Sequence, residues 1–353
     1  MSRQLIITLA ALAALAFACS NGSKQQTLDA STSDTGDDTD PSDGGDECDE
    51  IDFPLAGEPP SIALVVDRSY SMMLGDQWEM LESSLVEITA QMDFQIRFAL
   101  LLFPHEQGLC APASAVPDVP FADQNADEIA DLLYVTNPFG PGTPTAMSLL
   151  NAYLALLNEE PESRKFAILA TDGAPNCSID PTMSCDTCVS SDPSELCEDP
   201  FICLDDQMTY AQVTEYHDNW GVDTYVIGLG GAYEFWDQVM SNIAEKGGTG
   251  DYYPIDNPET LTSALQEIAA ETTECTFEVD WEALEEGASD NPDLVNVYAD
   301  GYIMTYSEDC SDQHGWHWLD ENTIELCPGM CHDYRWGVIS LLGATFGCDT
   351  YVE

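Results

Sequence analysis

Basic side chains are scarce in this chain: Lys and Arg together number 8 against 65 Asp and Glu, a formal net charge of -57. Sequence-independent attraction to DNA, RNA or anionic lipid headgroups is thereby excluded, because the long-range field has the wrong sign. The surplus reads as a solvated acidic surface, so only carboxylates that cluster need a separate account. The N-terminal apolar run, Leu5 to Ala18, has fourteen residues, short of the roughly 20 that a membrane-crossing helix needs. No repeat is strong enough to mark an array. The CxxC at Cys185 and Cys188 lacks a companion pair, which favours a disulfide over zinc in an exported chain.

What the N-terminus does have is Arg3, an apolar stretch and small residues just before Cys19, the organisation of a secretory signal over residues 1–18. Leu15, Ala16, Phe17, Ala18 and Cys19 resemble a bacterial lipobox. That resemblance implies a lipid on Cys19 and, with Ser20 following, sorting to an outer membrane more than an inner one, with the protein periplasmic or surface-exposed. The alternative is an ordinary secreted protein. Between Asp29 and Glu50 stand ten acidic residues, with no basic residue from Lys24 to Arg68. Such a composition cannot bury enough apolar area to offset its ordering entropy, so residues 19–56 are expected to be a disordered tether.

With Cys19 set aside, twelve of the 13 cysteines remain. An even count in an exported protein predicts six disulfides. Cys48 and Cys275 bracket the larger domain and are expected to pair. Cys110 would then join the odd member of the cluster Cys177, Cys185, Cys188, Cys197 and Cys203, leaving Cys310, Cys327, Cys331 and Cys348 for two bridges near the C-terminus.

The 44% hydrophobic content suffices for one sizeable core and a smaller module. A continuous apolar run of strand length occurs at 61–67 (SIALVVD), and further strands are expected at 94–103, 165–171 (KFAILAT) and 222–229, with a short one at 251–255. Helical periodicity fills the gaps, as in Trp78, Leu81, Leu85, Ile88 and Met92, again after the PGTPT turn, and over 205–219, 235–246 and 258–271. This alternation predicts a doubly wound, mainly parallel α/β sheet over 57–272. Such sheets bind ligands at the carboxyl ends of their strands, where the strand order reverses.

Hydroxyls and carboxylates gather at those ends. Asp67, Ser69 and Ser71 follow the first strand at a spacing of two; Asp172 closes the KFAILAT strand; Thr143 stands in the loop between. All are hard oxygen donors, which suit Mg2+ or Mn2+, with Ca2+ possible, whereas zinc would want His or Cys.

DRSYS at 67–71, GTPT at 142–145 and LATDG at 169–173 resemble the three-part signature of the von Willebrand factor A domain family. The resemblance implies a metal-ion-dependent adhesion site, with Asp67, Ser69, Ser71, Thr143 and Asp172 holding Mg2+ directly or through water. It further implies that an acidic side chain of a protein partner fills a vacant coordination position, so that the chain binds and is not an enzyme. Tyr70 stands where many members have Gly. Residues 174–204 form an insertion with five cysteines, expected to sit beside the metal and to shape partner choice.

Two other readings stay open. A metal-dependent hydrolase would need a positioned base, and His105 is the nearest candidate in sequence. Alternatively the protein is a structural surface protein whose C-terminal segment, 275–353, binds carbohydrate. That segment reads as a small disulfide-stapled β module, with strands at 294–298 and 302–306 and turns at Asp300-Gly301 and Pro328-Gly329. Its His314, Trp316, His317, Trp318, Tyr334 and Trp336 invite sugar or zinc, but a small core in need of large aromatics accounts for them more simply.

Overall fold

The structure, a computed structural model, describes residues 51–54, 59–106, 110–159, 163–177, 203–230, 234–279, 281, 292–347 and 350–351. Residues 1–47 and 48–353 are separate units, and the architecture below belongs to the second. A first short strand, β1 (Ile51–Pro54), is followed by β2 (Ser61–Asp67), buried at every residue. β2 lies between two parallel neighbours, β3 (Arg97–Phe103) and β5 (Lys165–Thr171). β6 (Asp223–Leu229) and β7 (Tyr253–Ile255) extend the parallel sheet beyond β5, and β4 (Val119–Ala122) runs antiparallel on the β3 edge. The order β4-β3-β2-β5-β6-β7 is the expected doubly wound sheet. The chain leaves β2 toward one edge and later returns to its other side at β5, so the strand order reverses between β2 and β5.

Successive residues of β2 serve different cores because strand side chains alternate in direction. Ile62, Leu64 and Val66 pack under α1 (Gln77–Gln91), α2 (Ala126–Val135) and α6 (Pro258–Thr272). Ala63 and Val65 pack under α3 (Thr145–Leu156), α4 (Asp206–Trp220) and α5 (Glu234–Lys246). Continuous apolar runs were therefore the right signature for the central strands. β4 and α2 have no counterpart in the sequence reading. Pro104, Pro112, Pro117 and Pro120 break the pattern there, although Ala126, Ile129 and Leu133, all buried, do keep helical spacing.

The C-terminal region builds two antiparallel sheets. β1, β13 (Leu342–Phe346), β9 (Val295–Ala299) and β10 (Tyr302–Ile303) form one; β11 (Trp316–Trp318), β12 (Thr323–Leu326) and β8 (Thr276–Glu278) form the other. Two expectations are corrected here. Residues 51–54, assigned to the disordered tether, pair with β13, Ile51 facing Phe346 and Pro54 facing Gly343; the short apolar stretch gains ladder hydrogen bonds that the acidic run before it cannot use. Pro328-Gly329, expected as a turn, opens α7 (Pro328–Arg335) instead. Proline at the first helical position loses no hydrogen bond and is preset in φ.

Cysteine pairing is partly as expected. Cys110 bonds Cys177, a member of the predicted cluster, and Cys310 bonds Cys327. The expected Cys48–Cys275 bridge is contradicted: Cys275 bonds Cys331 of α7, because the chain leaving α6 enters β8 directly against that helix. Cys203 is also disulfide-bonded. Cys19, Cys48, Cys185, Cys188, Cys197 and Cys348 lie outside the described residues, as do the signal segment and residues 178–202 of the insertion.

Of the aromatics singled out in this region, Trp316, Trp318 and Tyr334 belong to its core, whereas Trp336 stacks on His332 at 5.7 Å between ring centroids. Trp316 is fully buried, edge-on to Tyr306 at 5.2 Å and to Trp318 at 5.7 Å between ring centroids. His317 pairs with Glu325 at 3.2 Å and His314 with Asp333 at 3.4 Å. Removing so large a buried ring leaves a cavity that small neighbours cannot refill. Trp316→Ala should therefore cost about 3–5 kcal/mol of stability, read as a drop in the denaturant midpoint; a loss below about 1 kcal/mol would return this ring to the candidates for ligand binding.

Candidate functional site

Asp67 ends β2 and is fully buried. Its Oδ1 accepts the backbone N–H of Ser69 at 2.8 Å, and its Oδ2 accepts the hydroxyl of Thr171, at the end of β5, at 2.6 Å. The Ser69 and Ser71 hydroxyls lie 2.9 Å apart, and the Ser71 Oγ–H donates to Asp172 Oδ1 at 2.8 Å. Residues from the two strands flanking the reversal are thus tied into a single chain of hydrogen bonds, two carboxylates joined through hydroxyls.

The backbone holds that chain in place. Arg68 N–H donates to Phe103 O at the end of β3 (2.6 Å), Phe139 N–H to Arg68 O (2.5 Å), and Tyr70 N–H to Gly140 O (2.8 Å). The loop after β2 is consequently gripped from both sides, and Tyr70 is accommodated by pointing into solvent. Thr143 is buried, and Asn176 fastens its loop: Thr143 N–H donates to Asn176 Oδ1 at 2.5 Å and Asn176 N–H to Thr143 O at 2.9 Å. Asp67, Ser69, Ser71 and Asp172 are therefore linked by hydrogen bonds, and Thr143 joins them through the segment that follows Asp172. Thr171 and Asn176 were not among the predicted site residues. Thr171 sits inside LATDG and was within reach of the sequence; Asn176 is recognisable only once the chain is folded.

The electrostatics of the pair are unfavourable without a cation. Burial raises the pKa of Asp67 above the usual carboxylate range, and its hydrogen bonds from Thr171 and Ser69 offset that only in part. Burial raises Asp172 as well, helped by the charge of Asp67 and opposed by the Ser71 hydroxyl. Among the described residues no basic side chain contacts either carboxylate. Arg68 turns away, its Nε–H donating to Pro104 O at 3.1 Å. Nor do three His, Cys, Asp or Glu side chains converge anywhere among the described residues, so the donors here are two carboxylates and neutral hydroxyls. Such a set fits a small, hard divalent ion and not a soft one.

His105, the candidate base, uses its backbone N–H on Ala111 O at 2.8 Å and lines a separate cleft with Arg68, Glu106 and Asp118. None of the five predicted ligands lines that cleft.

A model of the von Willebrand factor type A domain matches residues 61–285, more than half of the chain. The chain belongs to this family. Among solved structures, this von Willebrand factor A chain is similar to the pilus adhesin SpaC from Lactobacillus rhamnosus GG, at 14% identity and a TM-score of 0.49, with 82% of this chain and 39% of the adhesin covered. It is also similar to the PilB minor pilin from Streptococcus sanguinis, at 16% identity, a TM-score of 0.42, and 61% and 62% coverage. A von Willebrand factor type A structure from Catenulispora acidiphila is similar at 15% identity and a TM-score of 0.41, covering 86% of this chain and 61% of that one. The chain thus spans about two fifths of the adhesin's length. No curated protein sequence matches it.

The raised carboxyls make a pH signature for the metal-free protein. A group whose native pKa lies above its unfolded value stabilises the fold fully below the unfolded pKa, near 4 for Asp, and loses that contribution as pH rises through the native value. Asp172→Asn keeps an oxygen for the Ser71 hydroxyl while removing the titration. In EDTA the variant should gain stability relative to the parent chain as pH rises from about 4 toward about 8. A difference between the two thermal midpoints that does not change with pH would mean that Asp172 titrates normally.

Proposed function

We propose that this protein is a binding protein, not an enzyme, whose von Willebrand factor A domain holds a Mg2+-type ion at Asp67, Ser69, Ser71, Thr143 and Asp172 and through it captures an acidic side chain of a protein partner. The observation that carries the reading is the buried pair itself. Two carboxylates are drawn out of water, tied together by serine hydroxyls and left without a basic partner among the described residues. Uncompensated burial of this kind is costly, and a divalent cation offsets it at both groups together. A bound ion would supply an electrophilic position that accepts an oxygen ligand. The chain's part is to present mostly neutral donors: Ser69, Ser71 and Thr143 add no charge, so the ion's attraction for a further carboxylate is only partly spent. Turnover would require a base held against a bound water. The sequence candidate for such a base, His105, lines a different cleft.

Export and surface attachment complete the proposal. The lipid is placed on Cys19, with residues up to about 50 spacing the domain from the membrane. The disulfides Cys110–Cys177, Cys275–Cys331 and Cys310–Cys327 support an oxidising compartment. No helix among the described residues is long and apolar enough to cross a membrane.

Mg2+ at a hundred times its dissociation constant should stabilise the parent protein by about 2.7 kcal/mol, and should leave Asp67→Ala, which loses a buried ligand, unshifted. In parallel, capture of partners from envelope extracts should be lost in EDTA and lost in the folded D67A variant. If D67A loses the Mg2+ response and keeps the partner, the metal serves the fold alone. For the anchor, Cys19→Ser should abolish incorporation of labelled palmitate and release the protein into the soluble fraction; undiminished labelling would remove Cys19 from the proposal.

A further inference from the structure

A second recognition element lies next to the site. Arg68 is one of only 8 basic residues in the chain, yet its side chain is 9% exposed. A guanidinium has five N–H donors. Here the Nε–H is used on Pro104 O, whereas the two Nη groups make no hydrogen bond among the described residues. The nearest carboxylate oxygen, Glu106 Oε1, is 3.9 Å from Nη1 on a side chain that is 77% exposed. That separation is beyond hydrogen-bonding range, and an exposed pair of this kind is weak. Asp118, also nearby, is already accepting the Leu102 N–H at 2.8 Å.

The guanidinium borders a cleft of about 370 Å³ whose other walls include His105, Val135 and Phe139. With its Nε–H spent on Pro104 O, the guanidinium keeps its Nη donors available at this cleft. Beside these polar groups Leu102, Leu132, Val135 and Phe139 give the cleft an apolar wall on which side chains flanking a carboxylate can pack. The planar fork of Arg matches a carboxylate two-on-two, with geometry that Lys lacks.

We infer that this cleft is a subsite for a second carboxylate of the protein partner, carried on an acidic residue flanked by apolar side chains, with the Arg68 Nη groups as its receptor. The inference deepens the function proposed above and rests on it for the partner being a protein. It uses different residues, however, and does not require the metal. Distant surface carboxylates are screened within about 8 Å at physiological salt; of the two that line the cleft, Asp118 is engaged by the Leu102 N–H and Glu106 stands beside the Arg68 donors. Glu106 is then a placeholder that competes for the same donors.

The test uses the full chain in EDTA, which takes the metal site out of play, and an acetylated, amidated Leu-Glu-Leu peptide as probe, with Leu-Gln-Leu as control. The Arg68 Nε–Hε resonance, identified by its absence from Arg68→Lys, should move saturably with the Glu peptide and not with the Gln peptide. Glu106→Gln, a change at an exposed position, should tighten the Glu peptide about 2–5-fold, the range expected for removing an exposed competing charge. This arm decides the matter even should R68K fail to fold. A resonance that stays still, an equal response to the Gln peptide, or a midpoint unmoved by E106Q would each overturn the subsite. Loss of Mg2+ binding in D67A bears only on the metal reading, so the two proposals fail separately.

Discussion

Two carboxylates that repel one another are held at the ends of neighbouring strands, and the geometry around them follows from that. Asp67 and Asp172 come from β2 and β5, the strands between which the sheet reverses direction, and the Ser71 hydroxyl spans the gap at 2.8 Å from Asp172. The Ser69 N–H and the Thr171 and Ser71 hydroxyls each donate a hydrogen bond to a charge that burial disfavours. Left to itself such a cluster relaxes by taking up protons. The hard cation proposed for this site would remove the same stress without changing a hydrogen-bond acceptor into a donor. The site is best understood as a local conflict that the rest of the domain is rigid enough to sustain.

That rigidity originates in β2. It is buried over its whole length and hydrogen-bonded in parallel on both sides, and its alternating residues belong to two separate cores. A strand committed on both faces and both edges cannot shift register by one residue without driving Ile62, Leu64 and Val66 into the core built around the smaller Ala63 and Val65. Its last residue is thereby located to within a hydrogen bond. The loop beyond it is stiffened by backbone contacts to Phe103, Phe139 and Gly140. On the β5 side Thr171 extends the arrangement: its hydroxyl reaches across to Asp67 while its strand continues into Asp172. Asn176 repeats the device at Thr143.

Much of this was legible in the sequence because the relevant signals are local. SIALVVD and KFAILAT announce strands covered on both faces, and an Asp at the end of each, with hydroxyls two apart, announces a cluster of hard donors. What escaped was information carried by distance. Residues 51–54 look like the close of an acidic linker until β13, some 290 residues later, offers them a ladder. Cys275 looks like a terminal bracket until the path after α6 brings it to Cys331. β4 and α2 were obscured locally, since four prolines between 104 and 120 mask the pattern that leads into them. Asn176 is a polar residue among many until its amide oxygen meets the Thr143 N–H. Hydrophobic periodicity thus reports which elements exist; partners fixed by chain closure are reported only by the fold.

The scarcity of positive charge gives the site its meaning as a recognition surface. Of the basic residues in the folded part, Arg97 is shared between Asp123 and Glu159, Arg164 lies 3.4 Å from Glu274, Arg335 donates to Thr273 O, and Lys246 sits over the Tyr210 ring. These cations are occupied within the chain. An acidic partner approaching a surface with a net charge of -57 therefore meets repulsion almost everywhere, and attraction must be supplied at a point. On the proposed reading, a divalent ion at Asp67 and Asp172 would supply that attraction as an open coordination position, and Arg68, one residue along the same loop, adds a positive charge on the adjoining cleft. Repulsion over the remaining surface would then act as a filter on the proposed partners, favouring those whose acidic groups reach these positions.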